Sequence, residues 1–372
     1  MKFVRYAGYG LLLISQATVF YCCWGIAPPD QDPGVDRHAA SSSPTYVGKA
    51  VCKECHQANF DFHSRHGHAS TFSVMEQSSL SSQYAGKEHD AGKVVGKFKY
   101  HGEANGKLSV SLPDKFGEKR FPLQYVLGSG KHAQTIITLI SNLKNETECV
   151  EHRVSFFPDR GLGLTPGQTD TMTTTNSLEL FGQFVLGDKI ERCVYCHTTT
   201  ASIKDEQVVN LRSNVNCEKC HGPGSEHVAS ARKNPKPVPY SVGKPTWDAE
   251  SEIQLCGDCH RLPWHVTEKE VREYPDVLVR FQPIGLLRSS CYLKSEGEMK
   301  CTTCHNPHEP SAEVSLSRHI KNCIACHQEQ NDQHVACPVS TTEGCIDCHM
   351  PAVSIGFGLS FHDHWIRIRK NQ

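Results

Sequence analysis

The sequence predicts a mainly α chain with extensive loops, built around packed prosthetic groups and carrying a small antiparallel β insertion. Three observations point there. Only 38% of the 372 residues are hydrophobic and 8% aromatic, a lean supply for a chain long enough to form two ordinary domains. Cysteine and histidine are abundant, at 19 and 22 residues. Fourteen of the cysteines fall into seven C-x-x-C pairs, each followed at once by His. The formal net charge of −1 offers no basic footprint to a nucleic acid, so none is expected as a partner.

The motifs are Cys52-Cys55-His56, Cys193-Cys196-His197, Cys217-Cys220-His221, Cys256-Cys259-His260, Cys301-Cys304-His305, Cys323-Cys326-His327 and Cys345-Cys348-His349. Chance would supply about 0.06 of them at this composition. In this pattern two thiols add across the vinyl groups of one haem, and the adjacent His is presented to the iron. Structural zinc takes two C-x-x-C pairs per metal and has no need of the His. Thioredoxin-type chemistry uses a single pair, and a disulfide framework leaves seven histidines unexplained. Seven covalently attached haem c groups are therefore expected. Of the other cysteines, Cys22 and Cys23 lie in the N-terminal apolar stretch. Cys149, Cys291 and Cys337 suit either one disulfide with a free thiol or three buried thiols.

Along the chain, residues 1–27 have Lys2 and Arg5 ahead of an apolar run. This reads as a signal peptide or a retained membrane anchor, and either one implies export to the periplasmic side. Residues 28–45 form a Pro/Ser/Asp-rich linker, and 46–92 hold the first haem module. The first motif is separated from the second by 141 residues, while later starts follow at 24, 39, 45, 22 and 22. Within that long gap VVGKFKYHG, KLSVSLP, KRFPLQYVLG, AQTIITLI and CVEHRVSFF are short β-like runs between turn signals. They predict a β-rich insertion over 93–175, with its strands between roughly 93 and 158. From 176 to 372 helix signals dominate a six-haem domain, with SLELFGQFVLGDKIERCVYCH leading into the second motif as helix. The close spacing there leaves too little chain to wrap each haem separately, so porphyrin faces take the place of a side-chain core.

Fifteen histidines lie outside the motifs, against only five methionines, Met1, Met75, Met172, Met299 and Met350. The supply favours bis-His over His/Met iron and hence lower potentials. His227 follows the Gly222-Pro223-Gly224 turn, with Ser225 as a candidate helix cap. His308 stands three residues after His305 beyond Pro307, too close to reach the far face of its own haem, and is expected to serve the next. His132 follows a Gly pair that allows close backbone approach. His364 near the C-terminus folds the tail over the array. Among His63, His66 and His68, His66 is preferred for an early haem. His38, His89 and His101 suit exposed or hydrogen-bonding roles.

The stretches YVGKAVCKECH, SRHGHA, GSGKHA, CHGPGSEHV, CTTCHNPH, CIDCHMP and DHWIR cover most of the chain after residue 45. With them the chain resembles the multihaem c-type cytochromes of the group that holds nitrifier tetrahaem cytochromes, pentahaem nitrite reductases and hydroxylamine oxidoreductases. The resemblance implies bis-His haems in stacked and angled pairs, with distal ligands at His132, His227, His308 and His364. It departs from the nitrite reductases, whose catalytic motif ends in Lys, since every motif here ends in His. No stretch identifies the crosslinking Tyr of the hydroxylamine oxidoreductases.

The expectation is an exported electron carrier that passes electrons between redox partner proteins or a membrane electron-transfer complex. The alternative is an oxidoreductase acting on a small nitrogen or sulfur compound at one five-coordinate haem. Each ferric haem adds about −1 through its propionates, so the holoprotein is expected to be acidic.

Overall fold

The computed structural model describes residues 43–117, 119–169, 177–233, 247–327 and 336–369. Residues 1–42, with the expected leader and most of the linker, lie outside them, as do His38, Met172 and His334. Pro44–Gln372 is one compact unit.

The chain is not mainly α. Among the described residues fifteen strands form five antiparallel sheets, mixed with short helices. Strands β1 (Phe72–Val74), β2 (Glu88–Asp90), β3 (Lys97–Gly102), β4 (Leu108–Ser111), β5 (Arg120–Leu123), β6 (Tyr125–Leu127), β7 (Thr135–Ser141), β8 (Thr147–His152), β9 (Val154–Phe157), β10 (Gly161–Leu164) and β11 (Gly182–Val185) follow the first motif. They build a four-stranded sheet, β2-β3-β4-β5, a five-stranded sheet, β1-β6-β7-β8-β11, and the hairpin β9-β10.

Period-two alternation drives this region. In β3, Phe98 and Tyr100 are buried while Lys97 and Lys99 face water, the pattern of a sheet with one dry face. Pro122 sits in β5, the edge of its sheet, where its missing N–H breaks no ladder. Thr138 on β7 donates its hydroxyl to the Pro122 carbonyl at 2.7 Å and ties the two sheets together. Between them lie Tyr84, Phe98, Tyr100, Phe121 and Phe181, with Phe121 and Phe181 stacked at 4.7 Å. The region has an ordinary side-chain core. By contrast, the motif-bearing helices Lys49–Lys53 and Cys345–His349 bury none of their residues.

Two further differences from expectation lie beyond residue 176. SLELFGQFVLGDKIERCVYCH is not one helix: Ser177–Phe181 is helical, β11 follows, and a second helix runs Asp188–His197 after Gly187, whose φ is 58°. Gly182 permits the strand, since a Cβ there would lie 1.9 Å from the Glu151 carbonyl on β8. Strands β12 (Thr198–Lys204) and β13 (Gln207–Ser213) form a hairpin. Its β-branched residues Thr198-Thr199-Thr200 on one strand and Val208-Val209 on the other outweigh helical continuity. The C-terminal hairpin pairs β14 (Ala352–Gly356) with β15 (Leu359–His362).

Candidate metal centres

Each motif lies on a helical turn. Backbone bonds His56 N to Cys52 O at 2.9 Å and His305 N to Cys301 O at 3.0 Å close the turn from the first Cys to the His. Positions i, i+3 and i+4 then share a face, so both thiols and the imidazole reach one planar group.

The rings of motif histidines face those of distant histidines across a nearly constant gap. Ring centroids are 6.2 Å apart for His56 and His227, 6.1 Å for His221 and His308, 6.1 Å for His260 and His68, and 6.1 Å for His305 and His364. A metal held by imidazole nitrogens on both sides, with bonds of about 2 Å as at zinc, requires about this separation. The spacing alone is not sufficient, because His63 and His66 are also 6.2 Å apart and neither follows an attachment pair. His319 lies 5.9 Å from His305 at 61°, but its Nε2 faces the Ser311 carbonyl at 3.4 Å.

The partner of the second ring nitrogen differs among the histidines. Nδ1 of His197 faces the Thr71 carbonyl at 3.1 Å, that of His349 the Arg367 carbonyl at 3.1 Å, and that of His364 the His362 carbonyl at 3.0 Å. His260 Nδ1 faces Gln282 Oε1 at 3.2 Å, and His308 Nδ1 faces Asn306 Oδ1 at 3.2 Å. An Nδ1–H directed at an oxygen leaves the Nε2 lone pair for a metal. His66 is the reverse: its Nδ1 accepts the His68 N–H at 3.0 Å, which places its own proton on Nε2. His265 Nδ1 likewise accepts the Leu262 N–H at 3.1 Å. His152 uses both nitrogens inside the β core, toward the Phe181 carbonyl and the Tyr100 hydroxyl. His101 binds Ser111 Oγ at 2.9 Å. His132 is exposed with its ring on Phe361 at 5.1 Å.

Partial desolvation favours the neutral, metal-binding form of several of these imidazoles. It is the first cause lowering His221, His260, His305 and His308 below the ordinary value. Burial with neighbouring histidines takes His68 down to about 3, and burial takes His364 to about 4.

The attachment thiols of different motifs meet. Cys52 donates to Cys217, and Cys259 to Cys196, which holds each acceptor at about 7. Cys256 donates to Cys301 and lowers it in the same way. The edges of motifs one and three, two and four, and four and five are therefore adjacent. Cys149 is a small buried side chain of the β core, beside Ile190 and Val194 of the second-motif helix. Cys149, Cys291 and Cys337 are free thiols.

Three buried carboxylates that motif reading missed tie distant segments together. Glu218, inside the third motif, binds backbone amides before the first. Glu252 accepts from the Thr302 amide at 2.7 Å and its hydroxyl at 2.8 Å, tying the fourth-motif helix to the fifth motif. Asp363 accepts from Tyr274 at 2.8 Å and Arg367 at 2.9 Å, and pairs with Arg369. Beside it, Ser289 donates to the His364 carbonyl at 2.8 Å and accepts the Ile366 N–H at 2.8 Å, docking the tail. Gly285 allows this approach, since a Cβ would stand 2.5 Å from Trp365 N. Ser225 is no helix cap; its hydroxyl accepts the Thr45 N–H at 2.8 Å. The signal available in the sequence was acidic residues placed within or beside motif segments.

Residues 168–222, which carry the second and third motifs, match the family described as cytochrome c554 and c-prime. The chain is 23% identical over 179 residues to the multiheme cytochrome MtrA of Shewanella baltica (strain OS185), a match over 38% of this chain and 53% of that protein. It thus spans about half the length of that curated relative. The crystal structure of the outer cell wall cytochrome OcwA aligns over 87% of this chain and 79% of that one, with a TM-score of 0.45 at 14% identity. The motifs and the sequence likenesses identify a haem-binding, multihaem c-type cytochrome.

Proposed function

We propose that the chain is an exported seven-haem cytochrome that moves single electrons between redox partners through bis-His haems. The observation that supports it best is the set of four ring pairs, each setting a motif His against a non-motif His at 6.1–6.2 Å. Haem iron, cycling between ferric and ferrous, supplies the redox chemistry. The fourteen motif cysteines hold the seven groups, and His56, His197, His221, His260, His305, His327 and His349 are the proximal ligands. Distal ligands are His227 opposite His56, His308 opposite His221, His68 opposite His260 and His364 opposite His305. His68 takes the place expected for His66, whose Nδ1 is occupied by the His68 amide. His132 stays a candidate for another haem.

This wiring crosses the sequence: the segment after motif three serves motif one, and the segment after motif five serves motif three. Two imidazoles on each iron would leave no coordination position for water, which keeps reorganisation small when charge moves. The stretch CHGPGSEHV supports kinship with the nitrifier group. Residues 1–27 are the export signal or anchor; among the described residues no helix is long and apolar enough to cross a membrane.

The test is a haem count with a spin-state measurement. Pyridine haemochrome and intact mass are expected to give seven haems, with the ferric paramagnetic spectrum dominated by low-spin species. Five or fewer haems would overturn the attachment scheme. A high-spin haem that turns over nitrite or hydroxylamine would favour a catalyst. Electron exchange with a basic partner is expected to slow with added salt, because the holoprotein is acidic; salt-independent exchange would count against this docking charge.

A further inference from the structure

Glu218 occupies the first variable position of the third motif and is only 5% exposed. Its carboxylate accepts three hydrogen bonds from neutral amides: Val47 N–H at 2.8 Å, Gly48 N–H at 2.8 Å and Gly224 N–H at 2.9 Å. Val47 and Gly48 immediately precede the helix Lys49–Lys53, which carries Cys52 and leads to His56. Gly224 immediately precedes the helix Ser225–Lys233, which carries His227. One side chain therefore grips the starts of two segments whose histidines face each other at 6.2 Å.

The surroundings agree. Thr45 and Ser225 exchange two bonds, Thr45 N–H to Ser225 Oγ at 2.8 Å and Ser225 N–H to the Thr45 carbonyl at 3.1 Å. Cys52 Sγ lies 3.7 Å from the Gly48 carbonyl, and Cys52 is also a neighbour of Cys217, the residue before Glu218. Gly224 packs closely here, since a Cβ would lie 3.2 Å from Val47 Cγ2. Charge-assisted bonds to buried amides are strong and directional.

We infer that Glu218 is the positioning residue of the first haem: from inside the third motif it fixes both segments bearing that haem's axial pair, and its charge lowers that haem's potential. The inference rests on the pairing of His56 with His227 proposed above. A buried anion bound to the segments that carry an axial pair would favour the ferric state, and removing its charge would raise the potential. The exposed ion pair Arg232–Glu54, at 2.9 Å, links the same two helices from outside, where solvent makes its contribution small.

The experiment compares the full holoprotein with its Glu218→Gln, Glu218→Ala, Arg232→Ala and His227→Ala variants. The readouts are haem content, ferric spin state and a redox titration resolved into components. Glu218→Gln, nearly isosteric, is expected to keep all seven haems and move one component positive. Glu218→Ala is expected to add a high-spin fraction of up to one haem in seven, and Arg232→Ala to match the parent. Titrations of Glu218→Gln and the parent that superimpose would overturn the inference, even if Glu218→Ala fails to mature. His227→Ala separates the two levels. If it leaves every haem low-spin, the axial pairing falls and takes the inference with it. If it gives one high-spin haem while both Glu218 variants match the parent, only the inference falls.

Discussion

Replacing His68 with alanine removes the imidazole that faces His260, whose ring centroid lies 6.1 Å away. His66 is the neighbour that sequence reading prefers, and its ring is only 4.4 Å from that of His68. Hydrogen bonding separates the two: His66 Nδ1 accepts the His68 amide proton, so the neutral ring carries its proton on Nε2. His68 is held at about 3 by burial first, then by His66 and His260. At neutral pH roughly one His68 side chain in 10,000 is then protonated, and proton competition for its lone pair is negligible. His68→Ala is expected to convert one haem of seven from low to high spin, measured by quantitative paramagnetic resonance of the ferric protein. His66→Ala is expected to leave the spectrum unchanged. A His68→Ala/His66→Ala double variant removes any rescue by His66 swinging into the gap and is expected to show the same one-haem change. High spin in His66→Ala with low spin throughout in His68→Ala would refute the tautomer argument.

Acid should weaken the β region through His152, which is 1% exposed and held at about 3 by burial. Its folded value lies below the unfolded one of about 6.5, so its neutral form contributes fully above pH 6.5 and that contribution is lost as pH falls toward 3. About 2 kcal/mol should be gone near pH 5, and His152→Gln should flatten the profile in denaturant titrations. Gly182→Ala forces a Cβ against the Glu151 carbonyl and should cost about 1–3 kcal/mol of unfolding free energy; an unchanged denaturation midpoint would contradict the close strand approach. Asp363→Asn leaves Arg367 and Arg369 without their buried carboxylate. It should cost about 3 kcal/mol and raise the high-spin fraction of the haem between His305 and His364, read in the same resonance spectrum.

The attachment chemistry is legible in the sequence because it is local. Two thiols and an imidazole within five residues of a helical turn meet one porphyrin whatever the rest of the chain does, so the motifs declare multihaem cytochrome chemistry by spacing alone. The strand run around Phe98 is legible for the same reason, since period-two burial is written residue by residue, while the run around Ile136 is buried on both faces and shows only as a short apolar β-branched stretch. The overall balance of helix and strand is not. Thr198–Ser213 follows a motif helix directly, and its hairpin forms only because Thr198 and Thr199 fold back onto Asn214 and Ser213. Gly182 turns from helix to strand because β8, thirty residues earlier in the chain, already lies against it.

The proposed second axial partners lie furthest from local reading. His227 meets a ring 171 positions earlier, and His68 one 192 positions later. Between His66 and His68, a single amide proton that no pattern records occupies one ring's Nδ1. Glu218, Glu252 and Asp363 belong to the same class, since a buried carboxylate is tolerable only when the fold brings its donors to it. The sequence by itself determined what each motif binds, because covalent attachment needs only neighbours along the chain. Tertiary structure alone decided which imidazoles face each other and how closely the motifs stand, because those depend on contacts across the whole compact unit.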